Sequence, residues 1–325
     1  MPRLLLLSLG GTITMIPAEA SGLTPTLGAA ELIASVPALA DLADIEADTP
    51  FRLPSPSLRI ADLMAVAERI EAAFAAGCDG AVVIQGTDTI EESAFLLDLL
   101  VGGDKPVVVV GAMRGADAPG ADGPANLLAA ARVAVSPEAY GLGTLVVMNY
   151  DIHAARFVQK AHTTLPSAFA SPLVGPLGVV AEGRPRFFAW TDRLPVWSVA
   201  DGPPPPVALV RWAMGDPGLM LPGLPDLGYA GVVIEGMGAG HVPGEAAPVV
   251  GALTARMPVV LASRTTMGPV FTQTYGYPGS EIDLIGRGVV PAGYLSGLKA
   301  RLLLGLALRA GGCAASVREA FRPYQ

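Results

Sequence analysis

The stretch GAVVIQGTDTIEESAFLLDLL, residues 80–100, decides the fold. Its first half, Ala81 to Ile84, is a short apolar run behind Gly80, the pattern of a strand buried on both faces of a parallel sheet. Its second half has helical spacing. Ile90, Ala94, Leu97 and Leu100 recur every three or four positions, with Glu91, Glu92 and Asp98 on the other faces. Between them, Gly86-Thr87-Asp88-Thr89 presents hydroxyls and a carboxylate at the carboxyl end of a strand, where open α/β sheets place their ligands. The same residues also read as a helix start, with Asp88 or Thr89 as N-cap and the acidic pair at capping-box distance. Taken alone, this loop favours the cap.

Outward from this stretch, strand and helix patterns alternate. Arg3 to Leu9, Ile45 to Leu53, Val107 to Val110 and Thr144 to Met148 read as extended, while Ala29 to Val36, Ile60 to Ala76 and Leu127 to Ala134 read as helical. Leu63, Val66, Ala67, Ile70 and Phe74 mark one face of the helix over 60–76. Five strands with intervening helices predict a doubly wound, mostly parallel sheet. Beyond Phe157 the helix periodicity fades, and Gly183 to Pro206 shifts to Pro, Arg, Trp and Gly. The run Gly202-Pro203-Pro204-Pro205-Pro206 can continue neither helix nor sheet. Alternation resumes with strands at Val207 to Val210, Gly231 to Ile234 and Val259 to Ala262, and with helices at Ala246 to Arg256 and Ser296 to Arg309. The expected α/β architecture is thus a larger N-terminal domain over 1–190, a Pro-rich linker over 191–207, and a smaller C-terminal α/β domain over 208–325.

Composition narrows the function. The chain has 325 residues, 51% of them hydrophobic and 15% charged, so core material is ample. A net charge of -8 argues against nucleic acid and anionic membranes as partners, since both are met with basic surface. The high apolar fraction suggests surface buried between subunits. At the amino terminus, Arg3, Leu4 to Leu9 and Ala18-Glu19-Ala20 imitate a secretory leader, but the apolar run is short and breaks at Gly10-Gly11. A buried first strand reads better. Cys78 and Cys313 are far apart and lack metal-ligand neighbours, so neither a disulfide framework nor a zinc site is expected. A cytoplasmic enzyme handling a small molecule is the default.

Four loop clusters follow the predicted strands. Gly10-Gly11-Thr12-Ile13 has paired glycines that let backbone approach a ligand beside a hydroxyl. It lacks the spacing of a nucleotide site, and a tight turn that happens to hold a threonine accounts for it equally. Gly86 to Thr89 is the second. The third joins Gly111-Ala112-Met113-Arg114 to Ala121-Asp122-Gly123-Pro124-Ala125-Asn126, where Asp122 is also a candidate helix cap and Pro124 suits a first helical turn. The fourth is Gln159-Lys160-Ala161-His162-Thr163-Thr164, with a lysine in a charge-poor region.

In order and spacing these clusters resemble the bacterial-type L-asparaginases over nearly the whole chain. The GGTI signature stands at Gly10 to Ile13 and the GTDT signature at Gly86 to Thr89. Lys105-Pro106-Val107 to Arg114 and Asp122-Gly123-Pro124 with Asn126 are similar to two further family blocks. Ser263-Arg264 and Leu298-Lys299-Ala300-Arg301 look like downstream family positions.

The resemblance implies a cofactor-free, metal-free homo-oligomeric amidohydrolase, a dimer of shared sites or a tetramer, converting L-asparagine to L-aspartate and ammonia. It makes Thr12 the primary nucleophile and Thr87, Lys160 and Asp88 a second triad. Ser55 aligns with the serine that binds the substrate α-carboxylate, Asp88 would hold the α-ammonium, and Gly11, Gly86 and Ala112 line the pocket. A threonine hydroxyl needs a base, and a lysine serves as one only when its charged form is disfavoured, which the Asp88 carboxylate opposes.

Three departures from the family pattern stand out. The family tyrosine on the loop after GGTI is missing, since no Tyr precedes Tyr140 and Pro25 aligns at its place. We expect Tyr275 or Tyr277 of a neighbouring subunit to fill this gap. Pro56 follows Ser55 where relatives carry a polar side chain. His241 stands where relatives carry Asn or Ser, and it is expected with Glu281 to complete the neighbour's pocket; the plain alternatives are an exposed turn residue and a solvated charge. Gly103 occupies the place of the cysteine that would pair with Cys78 in secreted relatives, which favours the cytoplasm. The competing functions are a glutaminase-asparaginase, another small-amide hydrolase, and a non-catalytic amino-acid binding module.

Overall fold

Leu4 to Leu7 are wholly buried because strand β1 (Arg3–Ser8) lies inside a sheet covered on both faces. A computed structural model describes residues 1–17, 23–25, 27–198 and 203–325. The chain forms two units, Met1–Asp201 and Gly202–Gln325. Ala18-Glu19-Ala20 and part of the Pro-rich segment, 199–202, lie outside the described residues.

In the first unit, α1 (Ala29–Ala34), β2 (Asp44–Asp48), α2 (Ile60–Ala75), β3 (Gly80–Ile84), α3 (Ile90–Leu100), β4 (Val107–Val110), α4 (Gly123–Ala134) and β5 (Thr144–Met148) follow β1. Strands β1 to β5 pair in parallel in the order β5-β4-β3-β1-β2. β6 (Asp151–Ala154), β7 (Gly178–Ala181) and β8 (Arg184–Phe187) then extend the sheet in antiparallel fashion beyond β5. β7 and β8 fall where the sequence shows fading periodicity and a composition shift, and β6 lies just ahead of it. β8 alternates exposed and half-buried residues and contains Pro185 and two arginines, the profile of an edge strand. Within the segment 191–198 the Trp197 backbone N–H donates to Leu99 O at 2.7 Å, and Arg193 reaches Val101 O at 2.6 Å.

The second unit is a four-stranded parallel sheet ordered β9 (Val207–Arg211), β10 (Gly231–Gly236), β11 (Val259–Ser263) and β12 (Val290–Pro291). Helices α5 (Ala247–Thr254), α6 (Glu281–Gly286), α7 (Gly297–Arg309) and α8 (Ala314–Phe321) complete it. Trp212, Leu221, Val232, Ile234 and Leu284 centre its core. Among the described residues, no helix is long and apolar enough to cross a membrane.

The strand order makes β1 and β3 the switch point, because the chain leaves β1 toward β2 and returns on the other side with β3. Ligands of doubly wound sheets bind outside the carboxyl ends of such a pair. Here the two loops touch through glycine. A Cβ on Gly11 would stand 2.1 Å from Gly86 N and 2.2 Å from Gly86 Cα, and Gly11 has φ +87°.

Two stability predictions follow from the first unit. Gly11→Ala suffers both backbone strain and overlap with Gly86, and lowers the unfolding free energy by about 3 kcal/mol. Gly141→Ala has the same sign of φ (+78°) but open space around its Cβ, so it loses only about 1 kcal/mol. Equal losses in urea unfolding would rule the loop contact out. His153, buried on β6 with Nδ1 2.9 Å from Ser171 Oγ, has its pKa pushed down by burial from 6.5 to about 4. The unfolded chain therefore binds a proton that the folded unit refuses. Stability is fully present above pH 6.5 and falls by about 3 kcal/mol as the pH drops to about 4. His153→Gln flattens that slope in denaturant titrations; identical slopes would exclude the assignment.

Candidate active site

Thr12 opens a short 3-10 turn, Thr12–Thr14, directly after β1, and is half-buried. The turn is closed by Thr14, whose hydroxyl donates to Gly11 O at 2.7 Å. Thr87 opens the equivalent turn, Thr87–Thr89, after β3. The two threonines thus each follow one member of the Gly11–Gly86 contact. On the other side of Gly86 sits Ser55, 2% exposed, whose Oγ would lie 2.8 Å from a Cβ at Gly86 and has no protein hydrogen-bond partner. Both glycines are required by close approach, and they gather Gly11, Thr12, Ser55, Gly86 and Thr87 at one sheet edge.

The cap reading of the second loop is not what the structure adopts. Helix α3 has Thr89 at its N-cap position but no side-chain cap. Thr89 instead donates to Ser55 O at 3.3 Å and accepts from Gln85 Nε2 at 3.2 Å. Asp88 turns to Lys160. Lys160 Nζ lies 2.5 Å from Asp88 Oδ1 and 3.0 Å from Thr87 Oγ1, so one ammonium spans the carboxylate and the hydroxyl. Lys160 reaches them from a two-residue ribbon, Gln159–Lys160 paired with Phe169–Ala170, and its backbone N–H donates to Glu91 Oε1 at 3.4 Å. The lysine side chain is 16% exposed and that of Asp88 61%, so the carboxylate has a face open to a ligand as well as to Lys160.

Asp122 is likewise no helix cap. Its oxygens accept from the backbone N–H groups of Met113 at 3.0 Å and Arg114 at 2.9 Å, and from Asn126 Nδ2 at 3.1 Å. Asn126 also donates to Gly111 O at 3.1 Å and accepts from Asn149 N–H at 3.0 Å. This network pins the loop after β4 and with it buried Ala112, which packs near Gly123. Gln85 and Glu91, which brace the second loop and Lys160, escaped the sequence analysis. The signal for Gln85 was a polar residue ending an otherwise apolar strand.

In the second unit, His241, Glu281, Tyr275 and Tyr277 form one cluster. Tyr277 Oη lies 2.9 Å from His241 Nδ1, and His241 Nε2 lies 3.1 Å from Glu281 Oε2. Glu281 is wholly buried, and its Oε1 accepts the N–H groups of Thr274 at 2.9 Å and Tyr275 at 2.6 Å. Burial pushes its carboxyl up, but the hydrogen bonds from Tyr275, its own backbone, Thr274 and His241 outweigh that and hold it below the usual range. Tyr275 meets His241 through its ring, edge-on at 5.0 Å between centroids. Glu281 is thus no solvated charge and His241 no free turn residue.

The fold is that of a two-unit α/β protein with a polar cluster, rich in hydroxyls and carrying the Lys160–Asp88 pair, at the switch point of its larger sheet. The family model for the N-terminal asparaginase domain matches residues 3–192, and that for the glutaminase/asparaginase C-terminal domain matches 206–321. A probable L-asparaginase of Deinococcus radiodurans is 38% identical, with 99% of this chain and 97% of that protein covered. The L-asparaginase of Bacillus licheniformis is 32% identical over 94% and 95% of the two chains. The crystal structure of a probable cytoplasmic L-asparaginase from Campylobacter jejuni superposes with a TM-score of 0.89 at 34% identity, covering 99% of each chain. The chain belongs to the asparaginase family.

The Asp122–Asn126 network makes its own prediction. Asp122→Ala and Asn126→Ala each lower the stability of the first unit by about 2 kcal/mol through unpaired backbone groups. The double variant loses clearly less than the sum, because the two share a bond. Strict additivity in denaturant unfolding would show that the two residues act independently.

Proposed function

We propose that this chain is an L-asparaginase, hydrolysing the side-chain amide of L-asparagine to L-aspartate and ammonia with Thr12 as nucleophile. The observation that carries this reading is the Thr87–Lys160–Asp88 constellation beside the Gly11–Gly86 contact, in a chain of the asparaginase family. Thr12 Oγ1 attacks the amide carbon, ammonia leaves, and water activated at Thr87 and Lys160 releases aspartate. Asp88 offers its open face to the substrate α-ammonium, while Ser55 Oγ supplies a hydrogen bond to the α-carboxylate. Backbone N–H groups of the two threonine turns and of the loop at Ala112 are the natural oxyanion donors.

The assembly is proposed to be a homo-oligomer in which His241 and its cluster complete the pocket of a second copy. In support, Met214, Leu219, Met220 and Leu227 of the second unit are exposed, an amount of apolar surface that favours a partner. The proposed location is the cytoplasm. The leader-like apolar run is the buried strand β1, and cleavage at Ala20 would remove both it and Thr12.

Ammonia release from L-asparagine, L-glutamine and their D forms tests the reading. L-asparagine is expected to be turned over fastest. Thr12→Ala, Thr87→Ala and Lys160→Met each lower kcat by on the order of 10³-fold or more with thermal unfolding unchanged. Ser55→Ala acts mainly on KM, by roughly 10-fold or more. Wild-type turnover in both threonine variants would overturn the mechanism. Binding of an amino acid without ammonia from any amide would make the chain a binding module.

A further inference from the structure

We infer that Tyr277, His241 and Glu281 form a proton relay whose open end, the Tyr277 hydroxyl, takes the proton of Thr12 in a second copy of this chain. The inference rests on the asparaginase reading above and deepens it by assigning the base that Thr12 lacks. Among the described residues, no side-chain base is hydrogen-bonded to Thr12 Oγ1 within its own unit. Of the two first-unit tyrosines, Tyr140 spends its hydroxyl on Asp79 O, just ahead of β3 and at the opposite end of that strand from Thr87, and Tyr150 stands exposed in the turn between β5 and β6.

The direction of the relay follows from its partners. A carboxylate only accepts, so neutral His241 carries its proton on Nε2, facing Glu281 Oε2 at 3.1 Å. Nδ1 is then an acceptor, and Tyr277 must donate to it across 2.9 Å. That leaves the phenol oxygen able to accept a proton, on a residue 47% exposed, with a proton exit behind it. The imidazole is fixed by its own backbone as well. His241 N–H donates to Met237 O, and Met237 N–H donates to His241 O, both at 2.8 Å. Glu281 is immobile for the reason given above: its second oxygen is held by two backbone N–H groups. Tyr275 offers a packed ring rather than a hydroxyl to His241, stacked in turn on Phe271. Of the two tyrosines, Tyr277 is therefore the one in the relay.

The step balances. As Thr12 Oγ1 bonds to the amide carbon, its proton passes to Tyr277 Oη, and the Tyr277 proton passes to His241 Nδ1, giving an imidazolium against the Glu281 carboxylate. When the C–N bond breaks, the same path returns one proton to the leaving nitrogen, which departs as ammonia, and His241 is neutral again. Tyr277 touches the reacting atoms; His241 and Glu281 act through it and position it.

Steady-state kinetics on the full chain test this. Tyr277→Phe and His241→Gln each lower kcat for L-asparagine by about 100-fold or more, the range of acid–base catalysis, with KM within about threefold. The double variant falls no further than the worse single one. The Tyr277→Phe loss exceeds that of Tyr275→Phe at least tenfold. Tyr277→Phe removes one oxygen atom from a half-exposed side chain, so its fold is retained even where Glu281→Gln fails to fold. Co-expressed Thr12→Ala and Tyr277→Phe chains recover about a quarter of wild-type activity, because random pairing gives half mixed dimers with one intact site each. Near-wild-type kcat in Tyr277→Phe while Thr12→Ala is inactive overturns the relay and leaves the threonine mechanism standing. Absence of recovery on co-expression overturns its action across copies. Wild-type turnover in Thr12→Ala overturns both.

Discussion

The contact between Gly11 and Gly86 is the constraint on which the carboxyl end of the larger sheet depends. A doubly wound sheet opens a crevice where β1 and β3 send their chains to opposite sides, but a crevice alone does not bring two side chains together. With any Cβ at Gly11, the two loops would be forced apart by well over an ångström. Without one, the backbone of the first loop lies against that of the second, and the residue following each glycine is a threonine. The same packing continues to Ser55, so close backbone approach brings three hydroxyl-bearing residues to one end of the sheet. Strands buried on both faces supply the rigidity this needs, since Leu4 to Leu7 and Ala81 to Ile84 have no exposed surface.

Lys160 arrives by a different principle. It is carried by a ribbon of two residues on each side, too short to be stable alone, and is held in place by what its side chain meets. The pair with Asp88 is half open to solvent, so its direct contribution to stability is small, about 1 kcal/mol or less. Its importance is geometric. A single nitrogen tied to Asp88 and to Thr87 fixes the hydroxyl's direction, and the anchoring of the backbone by Glu91 from α3 ties that nitrogen to the same helix the threonine turn begins.

Much of this was legible because parallel strands covered on both faces read as unbroken apolar runs. β1, β3, β4 and β5 of the first unit, and the strands of the second that begin at Val207, Gly231 and Val259, were all visible that way. The antiparallel strands β6, β7 and β8 were not. They are four residues each, and the edge strand carries Arg184, Pro185 and Arg186, whose charge and ring protect an exposed edge and erase the apolar pattern. The glycine–threonine loops stood out because glycine, hydroxyl and carboxylate coincide at strand ends. The roles of Asp88, Thr89 and Asp122 did not, since a carboxylate or hydroxyl ahead of a helix looks the same whether it caps that helix or, as here, reaches to Lys160, to Ser55 O or to the N–H groups of Met113 and Arg114. Contacts across 40 or 72 positions, such as His241 with Glu281 or Asp88 with Lys160, are set by topology and leave no local trace.

The two polar clusters differ in how completely the protein satisfies them, and that difference assigns their roles. Around Glu281 both carboxylate oxygens and both imidazole nitrogens have protein partners. Such a network is rigid, and a buried carboxylate this well bonded resists protonation. At the switch point, by contrast, Ser55 Oγ has no protein partner although its residue is buried, and Asp88 keeps an open face. An unmatched buried hydroxyl costs roughly 1–3 kcal/mol. A ligand carboxylate at Ser55 recovers this cost, and a ligand ammonium at the open face of Asp88 adds a charge-assisted bond. The unsatisfied cluster thus has the open donors and acceptors that the proposed α-amino-acid substrate requires, whereas the carboxylate and imidazole of the other are already matched within the protein.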